Sequence, residues 1–542
     1  MLRGQMMDTP LLISSLIEYA ASSYGQIEVV SRSIEGAIHR STYREVAGRA
    51  RKLAQALTDL GVNQGDRIGT LAWNTWRHLE LYYGVSGMGA VCHTINPRLF
   101  PPQIAYIINH AEDLWLFVDP TFVPLLESIW HELKTVRGVV VLAEAGHMPE
   151  KSSLPRLDCY ESLIANHSDR YEWPRLDEWA ASSLCYTSGT TGNPKGILYS
   201  HRSTVLHALG TSLPNGFAMS NRDAVMPVVP MFHVNAWGIP YSAALAGAKL
   251  VLPGPKLDGG SLYELIEQEG VTFSSAVPTL WMGLLTYMDQ AGVQLATLRR
   301  IGVGGSAPPM AMIKAFRERY RVEMQQGWGM TETSPIGSCS RPLPGMDSLP
   351  EPEKDQVRAK QGRPMYGVEI RVTDDAGVIL PHDGASVGHL KVRGPWVCSQ
   401  YFGEDVSLAH DADGWFDTGD IGTIDSDGYM QITDRAKDLI KSGGEWISSI
   451  DLENLAAAHP AVGEAAAIAV AHAKWGERPL LVVVRKPGSS VTAEEILNHL
   501  RNRVADWWLP DNVVFTDALP HTATGKVQKS KLREQYRDYG PV

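Results

Sequence analysis

An α/β protein with a β-rich insert and a smaller C-terminal α/β unit is the fold class this sequence predicts, on three observations. Helix-like and strand-like stretches alternate from about residue 40 to residue 144, the pattern of parallel α/β layers. From about 362 to 433 short β-like runs separated by turn residues take over. Beyond Asp434 the alternation resumes in a shorter unit.

Each element follows from its residues. The amino-terminal MLRGQMMDTPLLISSLIEYAASSYG has an apolar run broken by Ser14, Ser15 and Glu18, which reads as an amphipathic first helix without a signal-peptide core. TYREVAGRARKLAQALTDLG (42–61) carries apolar residues at helical spacing and ends on Gly61; GDRIGTLAW (65–73) is a strand behind a turn. Helix-like stretches follow at 76–89 and 102–110, and WLFVD (115–119) and GVVVLAE (138–144) are short strands. The Pro- and charge-rich segment 341–361 reads as a surface excursion. Asp425-Ser426-Asp427-Gly428 marks a hairpin. DLIKSGGEWIS (438–448) is hairpin-like, Ser448 with Asp451 caps a helix, strands follow at 464–471 and 480–485, and Thr492 with Glu495 opens another helix. These readings divide the chain into 1–433 and 434–542.

Composition narrows the function. At 542 residues the chain exceeds one hydrophobic core, and 44% hydrophobic and 20% charged residues are those of a globular protein. A net charge of −11 leaves no overall basic field for nucleic acid or an anionic membrane. The cysteines at 92, 159, 185, 339 and 398 form no CxxC and no even framework, which argues for a reducing compartment and against disulfides or a zinc cluster. No stretch of about 18 apolar residues is present, so no transmembrane segment is expected and the cytoplasm is the expected location.

The most informative stretch is Tyr186-Thr187-Ser188-Gly189-Thr190-Thr191-Gly192-Asn193-Pro194-Lys195-Gly196. Its glycines let the backbone bend tightly and bring N–H groups toward an anion. The hydroxyls add short donors and Lys195 a compact positive charge, a set suited to polyphosphate. A plain Ser/Thr/Gly surface loop would rarely combine this donor density with a lysine. A P-loop would need G-x-x-x-x-G-K-[ST] opening a helix; here an apolar GILY run follows Lys195. Other candidates follow. In VPMFHVNAWGIPY (229–241), His233 and Trp237 taken alone read as a core histidine and a packing indole. Gly304, Gly305 and Ser306 in GVGGSAPP can present backbone to a flat base. In QQGWGMTET, Trp328 offers an aromatic face, Thr331 a hydroxyl, and Glu332 a hard carboxylate suited to Mg2+.

TSGTTGNPKG resembles the signature of the adenylate-forming superfamily, which includes acyl-CoA synthetases, luciferases and peptide-synthetase adenylation domains. The resemblance covers nearly the whole chain, because further motifs appear in the family's order. It implies a large N-terminal domain of two α/β subdomains plus a β-barrel-like part, with a small mobile C-terminal domain. It implies ATP and CoA as substrates, Mg2+ as cofactor with Glu332 and Thr187 as ligands, and Thr187, Ser188, Gly189, Thr190, Thr191, Gly192 and Lys195 around the phosphates. The nucleotide set continues with Gly304, Gly305, Ser306, Trp328, Gly329, Met330 and Thr331, and with Asp420 and Arg435 on the ribose. The family commonly has Tyr at the position of Trp328, so stacking is kept and a phenolic hydrogen bond is lost. His233, Val234 and Trp237 border the acyl site, with His233 beside the carboxylate and Trp237 as gate. Gly443, Gly444, Glu445 and Trp446 admit the pantetheine arm, Asp434 and Lys437 bound the hinge, and Lys526 in PHTATGK is the adenylation lysine. The whole-chain likeness is to medium- and long-chain fatty acyl-CoA ligases and to 3-methylmercaptopropionate-CoA ligases, and a homodimer is expected from it alone. A ligase loading a carrier protein, a luciferase-like oxygenase and an inactive ATP-binding protein share the fold; Lys526 and Glu332 together count against the last.

Overall fold

The computed structural model describes residues 2, 4–187, 193–404, 409–443, 445–501, 503–521, 527–537 and 539, and of Glu445 its backbone alone. Four sheets organise the chain. In the first, of nine strands, Ala224–Pro227, Lys249–Leu252, Phe273–Ala276, Arg300–Val303 and the start of Glu323–Gly329 run parallel. The second, of seven strands, pairs Arg67–Leu71, Val91–Thr94, Trp115–Val118, Gly138–Val141 and Ala181–Tyr186 in parallel. The amino-terminal strand Glu28–Arg32 joins the first sheet beside Lys249–Leu252, far away in sequence. Strands in the middle of the second sheet are buried and apolar, as in WLFV and GVVV, the pattern of strands covered on both faces.

The expected elements appear with boundaries set by caps. Helix Tyr43–Asp59 starts at Thr42, whose hydroxyl accepts from Glu45 N while the Glu45 carboxylate accepts from Thr42 N. The β-rich part is a four-stranded antiparallel sheet of Glu369–Thr373, Gly388–Arg393, Phe416–Ile424 and Met430–Arg435, the last two joined at Asp425–Gly428. A fourth, five-stranded sheet holds hairpin Ile440–Ser442/Glu445–Ile447 and the long antiparallel pair Val462–His472/Gly476–Arg485. Ser448 caps Ser449–Ala457 through Asp451 N, and Thr492 with Glu495 boxes Ala493–Leu500. Two apolar clusters of this unit draw all their buried residues from 440 onward.

One reading is corrected. Segment 341–361 is more than a surface excursion: it contains helix Glu351–Ala359. Glu351 and Glu353 in its first turn and Arg358 in its last complement the helix dipole. Buried Asp355 ion-pairs with Arg317, with Lys314 at 3.4 Å and with Arg358 at 3.0 Å, which fastens the segment to helix Met310–Tyr320. All five cysteines are free thiols, and no helix of the described residues is long and apolar enough to cross a membrane.

The two large sheets are joined by polar side chains at their carboxyl edges. Asn74, just past strand Arg67–Leu71, donates from Nδ2 to Pro227 O and Val229 O, both at 2.9 Å, and accepts at Oδ1 from Met231 N at 2.7 Å. Tyr82 O–H donates to Met231 O, and Tyr83 O–H to Pro240 O at 3.0 Å. Asn74→Ala leaves a buried N–H and two carbonyls short of a partner, at a cost of about 3 kcal/mol. We expect its urea midpoint to fall accordingly, whereas the slope stays unchanged.

Candidate active site

The carboxyl ends of parallel strands are where ligands bind in open α/β sheets, and the sequence motifs emerge there. Segment 228–238 follows strand Ala224–Pro227, Gly304–Ser306 follows Arg300–Val303, Thr331–Thr333 follows Glu323–Gly329, and the Thr187–Lys195 loop follows Ala181–Tyr186.

Ser188, Gly189, Thr190, Thr191 and Gly192 lie outside the described residues, as do Gly444 and Lys526. The base of the phosphate loop is closed: Thr187 N donates to Lys195 O at 2.9 Å, and Lys195 N to Thr187 Oγ1 at 3.1 Å. Lys195 Nζ lies 3.3 Å from Glu404 Oε1 and 4.3 Å from the centroid of Tyr401.

Glu332 is 5% exposed. Tyr401 O–H donates to its Oε1 at 2.8 Å, so one tyrosine sits under Lys195 and against Glu332. Burial pushes the Glu332 carboxyl above its ordinary range, and the Tyr401 hydrogen bond works against that shift. Among the described residues no cluster of three or more His, Cys, Asp or Glu could hold a metal ion. One buried carboxylate beside a phosphate loop fits Mg2+, which is usually bound through one or two carboxylates plus substrate phosphates. Tyr199 O–H donates to Thr331 O at 2.6 Å, fixing the turn that carries Glu332.

Asp420 and Arg435 face each other across an antiparallel pair, with Asp420 Oδ1 2.7 Å from Arg435 Nε. Trp328 Nε1 donates to Asp420 Oδ2 at 2.8 Å. The indole thus supplies a hydrogen bond where the loss of a phenol was expected. Trp328 is 5% exposed, and a Cβ on Gly337 would sit 2.5 Å from its Cζ3, so one ring face is covered. Gly329 is required, since a Cβ there would meet Pro335 O at 1.9 Å; the adjacent Met330 N donates to that same oxygen at 3.1 Å. Gly304 is buried, while Gly305 and Ser306 are exposed.

Segment 230–238 has unusual backbone. Val234, Asn235, Ala236 and Trp237 have φ of 42°, 52°, 49° and 58°, and Gly238 follows at 71°. The left-handed region costs a non-glycine residue roughly 1–2 kcal/mol, so the surroundings must hold this turn. Trp237, 8% exposed, lies against Gly304, where a Cβ would be 2.9 Å from its Cη2. The structure therefore brings the expected gate and the glycine-rich loop into contact. His233 is half-buried, and the neighbouring Phe232 ring lies 5.6 Å from the Arg98 guanidinium.

At Asp434, buried, Oδ2 accepts from Ser449 N at 2.6 Å, and burial raises its carboxyl. Burial lowers the Lys437 amine. Gly443 has φ of 61°, donates its N–H to Trp475 O at 2.8 Å, and has no room for a Cβ, which would lie 2.8 Å from Trp475 Cε3. It borders a cavity of about 360 Å³ with Trp475, Trp507, Arg478 and His472. Trp446 is half-buried, with Lys441 Nζ 5.7 Å from its ring. Tyr401, Tyr199, Asn235 and Trp475 were missed in the sequence: none stands in a spacing that signals chemistry, and Tyr401 owes its place to a loop crossing from the β-rich sheet.

The sequence matches the family model "AMP-binding enzyme" over residues 17–402 and "AMP-binding enzyme C-terminal domain" over 451–526. It is 53% identical to the Medium-chain-fatty-acid–CoA ligase of Ectopseudomonas oleovorans over 535 residues, 99% of this chain and 98% of that protein. It is 52% identical to the 3-methylmercaptopropionyl-CoA ligase of Ruegeria lacuscaerulensis over 536 residues, 99% of each. Of solved structures, the anthranilate CoA ligase in complex with anthranoyl-AMP superposes with a TM-score of 0.86 at 26% identity, covering 98% of this chain and 99% of that one. ATP-bound MatB from Rhodopseudomonas palustris gives 0.81 at 26% identity, covering 97% and 99%.

Because the Tyr401 hydroxyl favours the charged Glu332, Tyr401→Phe raises the Glu332 pKa further. The acid limb of ATP binding then moves to higher pH. Calorimetric titrations from about pH 5 to 8 on both proteins measure it.

Proposed function

The chain belongs to the AMP-binding enzyme family, and from that premise we propose that it is an ATP-dependent, AMP-forming acid–CoA ligase acting on a medium- or long-chain fatty acid. The observation that carries the reading is full-length identity of about half to acid–CoA ligases, joined to an indole packed against Gly304. The 3-methylmercaptopropionate reading stands second, on the 52% identity to such ligases.

A carboxylate is a poor acylating agent, because its leaving group would be oxide. One carboxylate oxygen attacks the α-phosphorus of ATP and pyrophosphate departs, leaving an acyl-adenylate. The CoA sulfur then attacks the acyl carbon, and AMP leaves as the C–O bond breaks. Thr187, the loop at Ser188–Gly192 and Lys195 hold the phosphates, and the Lys526 ammonium offsets charge gathering between carboxylate and phosphorus. Glu332 and Thr187 would hold Mg2+, which would supply positive charge to offset that of the phosphates. Trp328 and Gly304–Ser306 take the adenine, Asp420 and Arg435 the ribose, Thr331 the α-phosphate, and His233 and Val234 the acyl carboxyl end. Trp237 closes the acyl site.

We further assign the nucleotide and acyl sites to residues 1–433 and a mobile unit to 434–542, hinged at Asp434–Lys437. The two family models support the division, ending at 402 and beginning at 451. Lys526 and the Gly443–Gly444 loop stand about 80 residues apart, so one small unit serves two half-reactions by turning a different face to the site. The Trp475 and Trp507 rings that line the cavity at Gly443 suit the base of the CoA nucleotide. A cytoplasmic homodimer completes the proposal; light scattering measures the dimer.

ATP, Mg2+ and a panel of acids, followed by CoA, should give acyl-CoA, AMP and pyrophosphate. Acceptance of a holo-carrier protein in place of CoA, or no product at all, overturns the assignment. Glu332→Gln should lower adenylation at least about a hundredfold, as loss of a charge partner in a dry site does. In single-turnover assays, Lys526→Ala should lose adenylation yet convert supplied acyl-AMP and CoA, and Gly444→Trp should do the reverse. Equal loss of both halves in folded variants removes the rotating-unit mechanism.

A further inference from the structure

The left-handed turn 234–237 ends in the indole that closes the acyl site, and the side chain of Asn235 ties it to the other sheet. Asn235, 3% exposed, donates from Nδ2 to Ser183 Oγ at 3.0 Å. Its Oδ1 lies 3.5 Å from both Thr94 Oγ1 and Cys185 Sγ. These three residues stand on neighbouring strands Val91–Thr94 and Ala181–Tyr186, where Thr94 and Cys185 are register partners. Backbone bonds follow the same path: Ala236 N donates to Pro230 O at 3.2 Å and Gly238 N to Asn235 O at 3.0 Å. A Cβ on Gly238 would meet His207 Nδ1 at 2.7 Å, so the end of the turn is confined as well.

Asparagine, after glycine, is among the residues that best tolerate left-handed backbone, and a buried carboxamide demands partners. Both conditions are met only with the turn wound this way. A right-handed winding would run 234–238 into helix Ile239–Ala246, withdraw the carboxamide from the strands and lift Trp237 off Gly304. The observed strain persists because the carboxamide is docked.

We propose that Asn235 is a positioning residue for acid selection: docked between the two strands, it holds the left-handed turn, and the turn sets how far the Trp237 indole projects over Gly304. Through that distance it limits the length of the straight-chain acid admitted. The inference rests on the ligase reading given above, and on Trp237 as the wall of the acyl site.

Two variants test it. Asn235→Gly keeps a backbone that accepts left-handed angles and removes the carboxamide; Ser183→Ala removes one partner without touching the turn. Two readouts are needed: the ranking of kcat/KM over straight-chain acids, and acrylamide quenching of Trp237 emission, taken as the difference from matched Trp237→Phe proteins. Asn235→Gly should tilt the ranking toward longer acids by about tenfold, raise Trp237 quenching, and leave KM for ATP within about twofold. Ser183→Ala should move both readouts the same way by less, and it decides the matter if Asn235→Gly does not fold. Lower melting temperatures with unchanged ranking and quenching reduce Asn235 to a packing residue and overturn the proposal. If the unmodified protein forms no acyl-CoA, the ligase reading fails, while quenching still decides whether Asn235 holds the turn.

Discussion

The requirement that buried amides be paired ties the two halves of the large domain together. Two parallel sheets could pack through apolar helices at many angles. Here the carboxamides of Asn74 and Asn235 each cross from one sheet to the other and find partners only in one register. Directional bonds in a dry setting select one arrangement where apolar contact alone would accept several. The carboxyl edges of the two sheets are thereby tied to each other, and the indole of Trp237 lies against Gly304 of the glycine-rich loop.

The β-rich sheet then completes that cleft through single bridging groups. Tyr401 serves Lys195 with its ring and Glu332 with its hydroxyl. Asp420 divides its two oxygens between Trp328 and Arg435. Each joins residues distant in the chain, so the electrostatics of the site depend on how this sheet docks. The raised carboxyl of Glu332 reflects the same enclosure.

The C-terminal unit is attached differently. It has its own apolar clusters, and among the described residues polar bonds tie it to the sheet before it: Ser449 N donates to Asp434 Oδ2 and Ser448 O–H to Thr433 O. A unit with its own core and a polar junction is able to turn as a body at modest cost. That is the physical basis for assigning two half-reactions to two faces of it.

Elements whose signal is local were legible in the sequence. Helix Tyr43–Asp59, the caps at Ser448 and Thr492, and the hairpins at 425–428 and 438–448 rest on residues a few positions apart, and the motif order identified the chemistry. Helix Glu351–Ala359 carries local signals in its acidic first turn and basic last turn, which the proline and charge content of the segment masked, while its docking through Arg317 and Lys314 on another helix leaves no local trace. The partners of Tyr401 lie 69 and 206 positions away, at Glu332 and Lys195. Nothing in VPMFHVNAW announces a left-handed turn, since its backbone angles answer to Ser183, Thr94 and Cys185 across a sheet boundary. Local periodicity and spacing thus determined the elements, and the resemblance of the motifs to a known superfamily implied the reaction class. Tertiary structure alone decided the pairing of buried polar groups, because those partners are chosen by proximity in space and leave no period in the chain.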